Sequence, residues 1–418
     1  MNCISNLTGR FIFDSRGIPT VEAEVTLNNG LSAIASVPSG ASTGSKEAVE
    51  LRDQDNNLYN GKSVSKAVEN INTKIFELLV GLNPLDQNEI DRLLIELDGT
   101  KNKGNLGANA ILAVSMAVCR VSANSLSLPL YRYISGKNKI SMPVPMINVI
   151  NGGAHANNNL DIQEFMLVPH NFPTFSDAIH ASNCCFHELK RIMSSQNYST
   201  AVGDEGGFAP NLKDNKEAIE LLIKCIENTG YKPGDQISIA LDCAASEFYN
   251  NGVYSLKSEN SKLTNVELVD YLDSLCNEYP IISIEDPLDE NDFVGWSEIT
   301  KKLSNKIKIV GDDLFVTNYD ILKDGIENNI ANSILIKPNQ IGTITETINT
   351  INLAKENKYS TIVSHRSGET EDSFIADLSV GANSGFIKTG SMSRSDRMSK
   401  YNQLLRIESE NKKYIKYG

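Results

Sequence analysis

The second half of the chain repeats one rhythm, in which short β-rich runs, "QISIALDC", "IISIEDP", "IKIVGDDL", "SILIKPN", "TIVSHRS" and "GFIKTGS", are separated in several places by helical stretches. Parallel strands need a crossover between them, most often a helix, so the repeat predicts a βα barrel. An open doubly wound sheet alternates in a similar way, but no G-x-G-x-x-G follows the first strand. The region opens differently. "MPVPMINVI" and "IQEFMLVP" are about ten residues apart, too few for a crossover helix, so they are expected to pair antiparallel before the βα units begin.

The six runs stop at charged or polar residues: Asp242, Glu285, Asp312, Lys337, His365 with Arg366 and Ser367, and Lys388. Any one of these has an ordinary explanation. An Asp after a strand often caps the next helix, as Asp313 is placed to do, and a lysine can snorkel its ammonium to water. Together they share a different one, because the active site of a βα barrel lies at the carboxyl ends of its strands. Lys337 follows Ile334-Leu335-Ile336 directly. A lysine head held in the interior is expected to lose its proton more readily than a surface one, which makes Lys337 a candidate base.

The residue types define the chemistry. Asp242, Glu285 and Asp312 are a hard oxygen set that suits Mg²⁺ better than Zn²⁺. Arg366 offers a planar fork of donors and Ser367 a hydroxyl, a combination suited to phosphate or carboxylate, so the substrate is expected to be a small anion. In "AVGDEGGFAP", residues 201–210, glycines flank Asp204-Glu205. One of these carboxyl groups is expected to keep its proton near neutral pH and to oppose Lys337 as the acid of an acid/base pair. Two glycine-rich stretches, "PSGASTGS" at 38–45 and "NGGAHANNN" at 151–159 with His155 inside it, are candidate lids.

Before residue 140 the pattern is strands first and helices later. "TVEAEVTLNNG" and "LSAIASVP" meet at Asn28-Asn29-Gly30, a hairpin signal, and "GANAILAVSMAVCRVSANS" is helical. This predicts a small α+β capping domain over 1–135, a polar linker "SGKNKIS" at 135–141, and a catalytic barrel over 136–418. With 39 Lys and Arg against 52 Asp and Glu the net charge is −13, which argues against nucleic acid or an anionic membrane as the main partner. Seven cysteines without a C-x-x-C spacing fit neither a disulfide framework nor a zinc ribbon, and Cys184-Cys185 is read as buried-helix packing. The start "MNCISNLTGRFIF" lacks the features of a signal peptide and no run is long enough to span a bilayer, so a reducing, cytoplasmic location is expected.

Eleven stretches carry a resemblance to the enolases, of bacterial type: "DSRGIPTVE", "PSGASTG", "NGGAHANN", "IQEFM", "GDEGG", "LDCAASEFY", "SIEDPLDE", "GDDLFVTN", "LIKPNQIG", "SHRSGETED" and "IKTGSMSRSDR". They run in the family's order over nearly the whole chain. The resemblance implies the glycolytic, reversible dehydration of 2-phosphoglycerate to phosphoenolpyruvate with two Mg²⁺ per site. It implies that Lys337 takes the proton from carbon 2 and that Glu205 protonates the hydroxyl leaving carbon 3. Asp242, Glu285 and Asp312 would hold the first Mg²⁺ and Ser42 would help hold the second. Gln163 and Lys388 would contact the substrate, Arg366 and Ser367 its phosphate, Glu164 and His155 the region of the leaving group, and His365 would line the pocket. A homo-oligomer, dimer or octamer, is also implied. So is the surface plasminogen-binding role of some bacterial relatives, against which the lack of a terminal lysine counts, although "NKKYIK" lies nearby. Ile18 stands where the family usually has Asn, at a position placed outside the chemistry. A relative acting on a non-phosphorylated acid would lack "SHRS", and a silent scaffold would have lost Lys337, Glu205 or a metal ligand; all are present.

Overall fold

The computed structural model describes residues 2–41, 44–412 and 415–418. Strands β1 (Ile4–Phe13), β2 (Pro19–Leu27) and β3 (Ser32–Ser36) form an antiparallel sheet in that order. The turn between β2 and β3 falls where expected, with Gly30 at φ 86°, a conformation that glycine adopts without a Cβ penalty. Val21, Ala23 and Val25 of β2 are buried, and helix α1 (Ala108–Ser125) packs on β2 and β3. Its sequence is mostly small and apolar, with Arg120 its one charged residue, as suits a helix buried on most faces. Arg120 leaves the domain and pairs with Asp372 at 2.7 Å. Ile18 closes its turn through the backbone, donating to Asp14 Oδ1 at 2.9 Å and accepting from the Asp14 amide at 2.9 Å, contacts that need no particular side chain.

Among the described residues eight further strands close a barrel in chain order: β4 (Val144–Asn151), β5 (Glu164–Pro169), β6 (Ile237–Asp242), β7 (Ile281–Glu285), β8 (Lys308–Gly311), β9 (Ser333–Ile336), β10 (Ser360–Ser364) and β11 (Phe386–Lys388), which returns to β4. Strand β5 is antiparallel to both neighbours, and the remaining neighbouring pairs are parallel. The fold is thus α/β and the barrel opens with an antiparallel hairpin. Because β5 is reversed, its first residues sit at the mouth where the other strands end: Glu164 is level with Asn151 and with Asp242.

Alternate side chains of a strand face opposite sides of the sheet. Inside the barrel, Met146, Met166, Ala240, Val310, Leu335 and Ile362 form one apolar cluster. Two residues nearer the mouth, the same strands or the residues that follow them carry Asn148, Glu164, Asp242, Asp312, Lys337 and Ser364, all on the interior side. Ile239, Ile309, Ile334, Ile336 and Val363 alternate with them and belong to the outer core. Lys337 after an apolar run is therefore the next interior position above Leu335.

The helices between strands start at side-chain caps, including Thr264 with Glu267 in a capping box, Asp292 and Thr343. Asp313 is not one of them, which corrects the expectation for that residue. The helix after β8 begins at Tyr319 and is capped by Asn318, because the chain makes a further turn past Asp313 and the Asp313 amide is taken by Asp286 at 2.8 Å. The seven cysteines are free thiols; of Cys184-Cys185 only Cys185 is buried as packing requires, while Cys184 is partly exposed beside His180, so the expectation holds for one of the two. Among the described residues no helix is long and apolar enough to cross a membrane.

The two parts meet at the mouth. Ser39 and Gly368 exchange backbone hydrogen bonds of 2.8 and 2.9 Å. A Cβ at Gly368 would overlap the Asp14 carboxylate and meet the Arg16 guanidinium at 2.5 Å, so a larger residue here would have to displace the Asp14–Arg16 pair.

Candidate active site

Neighbouring strands deliver the acidic residues. Asp242 and Glu285 are level on β6 and β7, and Glu285 is level with Val310, two residues before Asp312. From β11, Lys388 reaches all but the last: its Nζ lies 2.8 Å from Asp242 Oδ2, 2.8 and 2.9 Å from the two Glu285 oxygens, and 3.3 Å from Glu164 Oε1. Burial pushes this ammonium down, but Asp242, Glu164 and Glu285 outweigh it and hold Lys388 well above the usual lysine range. Glu285 moves well upward, first by burial and then by repulsion from Asp242 and Asp312. Gln163, just before β5, donates to Asp242 Oδ2 at 3.3 Å.

Lys337 overturns one expectation. Burial does push its proton off, yet the shift is upward, because the ammonium donates directly to Asp312 Oδ2 and that carboxylate wins. Interior position alone was the wrong predictor. A facing carboxylate opposes the loss of a buried lysine's proton. Asp312 also accepts from Gln340 Nε2 at 2.9 Å, and its backbone amide donates to Asp286 at 2.9 Å.

On the other side of the mouth His155 stands between two carboxylates, with Nδ1 3.5 Å from Glu164 Oε1 and 3.5 Å from Glu205 Oε1. Its Nε2 is 3.2 Å from Ser367 Oγ. Burial alone would lower His155, but Glu205 and Glu164 raise it to about 9. Glu164 is raised to about 7, mainly by burial and then by Glu205. Glu205 goes the other way: burial raises it, but the charged His155 and Arg397 hold it well below the carboxylate range. The carboxyl group that keeps a proton near neutral pH is thus Glu164 and not Glu205. Cations converge on Glu205, whereas Lys388 is the main one facing Glu164. The two glutamates share a hydrogen bond, so they titrate as a pair.

A pH prediction follows from His155. Its folded value lies above its ordinary 6.5, so its contribution to stability is complete below about 6.5 and is lost as pH rises through about 9. Thermal unfolding between those limits should fall more steeply for the native chain than for His155→Gln. Parallel curves would mean that His155 is not charged in the folded state.

Arg366 meets Glu47, whose two oxygens lie 2.9 and 3.1 Å from Nη1 and Nη2, and Asn339 Oδ1 at 3.2 Å. The fork expected to meet an anion is thus aligned by a carboxylate from the N-terminal domain. Twelve residues, among them His155, Gln163, Glu164, Glu205, Asp242, Asp312, Lys337, His365, Arg366, Ser367 and Lys388, enclose a cavity of about 20 Å³. Ser42 lies outside the described residues.

Asp242, Glu285 and Asp312 come from three adjacent strands and offer only oxygen, and the upward shift of Glu285 reports like charge that a divalent cation would relieve. On those grounds the set fits Mg²⁺. Among the described residues the closest-gathered groups of ligand atoms are different: His155, Glu164 and Glu205 in one, and Asp286, Asp312 and Asp313 in the other. Asp242 and Glu285 are bridged by the Lys388 ammonium, and Asp312 is turned to Lys337.

Several residues of the site escaped sequence reasoning. Asn148 donates to Glu205 Oε2 at 3.0 Å and was legible as a polar residue at the strand period inside "MPVPMINVI". Glu47, Gln340 and Arg397 sit on loops or a helix, where no period marks them.

A closed barrel whose strand ends bring together two lysines, an arginine and a ring of carboxylates, capped by an α+β domain, is an enzyme built for acid–base chemistry on a small molecule. Residues 4–134 match the family model described as the enolase N-terminal domain, and residues 139–418 match the enolase C-terminal TIM barrel domain. The chain belongs to the enolase family, and with that membership it is a hydro-lyase with enolase-type dehydration chemistry. That family typically uses Mg²⁺.

Proposed function

We propose that the chain is the glycolytic phosphopyruvate hydratase, the Mg²⁺-dependent enzyme that interconverts 2-phosphoglycerate and phosphoenolpyruvate. The domain boundary is placed at 135/136, the location in the cytoplasm, and the working form as a homo-oligomer. The observation that carries the proposal is the opposed placement of Lys337 on the Asp312 side and of the Glu164–Glu205 pair on the His155 side, with Lys388 between them.

Lys337 Nζ takes the proton from carbon 2, and the electron pair of the broken C–H bond moves toward the substrate carboxylate. Lys388 is held charged where that second negative charge develops. The C3–O bond then breaks, the hydroxyl takes a proton from Glu205 and leaves as water, and a C2=C3 double bond remains. Glu205 is supplied through the hydrogen bond it shares with Glu164, the partner that holds a proton near neutral pH. Arg366 and Ser367 orient the phosphate. Asp242, Glu285 and Asp312 would hold one Mg²⁺ and Ser42 would help hold a second, and the bound ions would supply positive charge where the substrate's negative charge grows. A lysine or histidine base with Mg²⁺ is a known property of the superfamily. With Asp312 engaged as a metal ligand its charge would raise Lys337 less, and Arg366 and Lys388, which both push that ammonium down, would favour the base form.

The direct test follows the ultraviolet absorbance of phosphoenolpyruvate formed from 2-phosphoglycerate, with Mg²⁺ and after chelation. Product in the first case and none in the second is expected. No product in either case overturns the activity, and equal rates overturn the metal requirement. Arg366→Lys keeps the charge but loses the fork that meets Glu47 and the phosphate, and KM should rise about tenfold or more. Unchanged kinetics would remove Arg366 from substrate binding.

A further inference from the structure

Arg397 lies on helix α2 (Ser395–Asn411), which follows β11, and is 0% exposed. Its guanidinium reaches back beneath the mouth. Nη1 donates to the Arg366 carbonyl at 2.6 Å and lies 2.6 Å from His365 Nδ1, while Nη2 donates to the carbonyls of Ser367 at 2.6 Å and Asp204 at 3.1 Å. Nε is 2.8 Å from the Asp396 carboxylate. Two segments far apart in the chain, 204–205 and 365–367, are tied by one side chain. Gly390 makes room for it: with φ 81° and no Cβ it avoids Arg397 Cδ, which a Cβ would meet at 2.6 Å, and the Glu205 carbonyl, at 2.9 Å.

A guanidinium can only donate hydrogen. The ring nitrogen facing it must offer a lone pair, so His365 carries no hydrogen on Nδ1 and the neutral ring keeps its hydrogen on Nε2. That nitrogen faces Glu205 Oε2 at 3.6 Å. A second ring proton would set an N–H against the guanidinium N–H. Besides Arg397, the charged groups acting on the ring are Glu205, Lys388 and Lys337, and of these only Glu205 favours the imidazolium.

We propose that Arg397 is a positioning residue that locks His365 in its neutral Nε2–H form, with that N–H facing Glu205, and holds the Glu205 loop in register with the Arg366-Ser367 segment. Glu205 Oε2 then accepts from Asn148 and faces the His365 donor, so the proton that Glu205 delivers is confined to Oε1. The consequence for catalysis rests on Glu205 being the acid, as proposed above; the ring tautomer does not.

The test is nitrogen-15 NMR of histidine-labelled intact enzyme, a simple spectrum because the chain has five histidines, with His365→Gln to identify the signal. The native ring is expected to stay neutral and protonated at Nε2 from about pH 6 to about pH 9. A ring protonated at Nδ1, or an imidazolium at neutral pH, overturns the proposal without any variant. In Arg397→Lys the ring should show mixed tautomers or titrate near an ordinary histidine value. Its kcat should fall about 10- to 100-fold, with KM within about threefold and exchange of the carbon-2 hydrogen retained. A folded Arg397→Lys with the native ring signature and pH profile also overturns it. If the native enzyme forms no phosphoenolpyruvate, the proposed function fails, while the NMR result still decides the role of Arg397.

Discussion

In heavy water with Mg²⁺, Glu205→Gln should still exchange the carbon-2 hydrogen of 2-phosphoglycerate, and Lys337→Ala should not, although both should lose net dehydration by about 10²–10⁴-fold. The two groups sit on opposite sides of the mouth, Lys337 against Asp312 and Glu205 among His155, Asn148 and His365. Removing the acid therefore leaves the base, Lys388 and the carboxylate set in place. Proton NMR of the substrate reads the exchange, and circular dichroism confirms that each variant folds. Exchange persisting in Lys337→Ala would exclude that residue as the base. Loss of exchange in a folded Glu205→Gln would mean that Glu205 also helps to hold or polarise the substrate before the first proton leaves.

Lys388→Met should be the most damaging substitution to stability among the site residues. One ammonium serves Asp242, Glu285 and Glu164, all buried. Leaving buried charge without its partner costs about 3–5 kcal/mol, and here three carboxylates lose theirs at once, with Glu285 already raised by burial and by its acidic neighbours. The urea midpoint should drop accordingly, and Mg²⁺ should restore part of the loss in the variant by occupying the same acidic set. An unchanged midpoint without metal would show that the carboxylates take up protons or rearrange instead, and would remove Lys388 as their counter-charge.

The legible part of the site was the part written on strands. The period of two carries a strand from Leu335 to Lys337, from Ala240 to Asp242 and from Val310 to Asp312, so apolar and charged interior positions follow one another in the sequence itself. Gln163 and Glu164 were recognised from the family pattern in "IQEFM", and the reversed β5 explains why residues at a strand's beginning share the mouth with residues at the ends of other strands. Arg397 and Glu47 had no such mark, since their partners lie on other elements, 32 residues away for His365 and 319 for Arg366, and no spacing encodes those separations.

The sequence by itself determined the βα rhythm, the hairpin start, the antiparallel N-terminal sheet and the cast of charged residues at the strand ends, because each depends on local periodicity, turn residues and connection length. Only the tertiary structure decided where the protons lie. Interior position predicted a Lys337 that sheds its proton and a protonated carboxyl within Asp204-Glu205, yet Asp312 holds the lysine charged and cations converging on Glu205 leave the retained proton to Glu164. Burial is legible from an apolar run, but the charge that opposes burial comes from another strand or helix. Its effect varies with separations of a few ångströms that exist only once the barrel has closed.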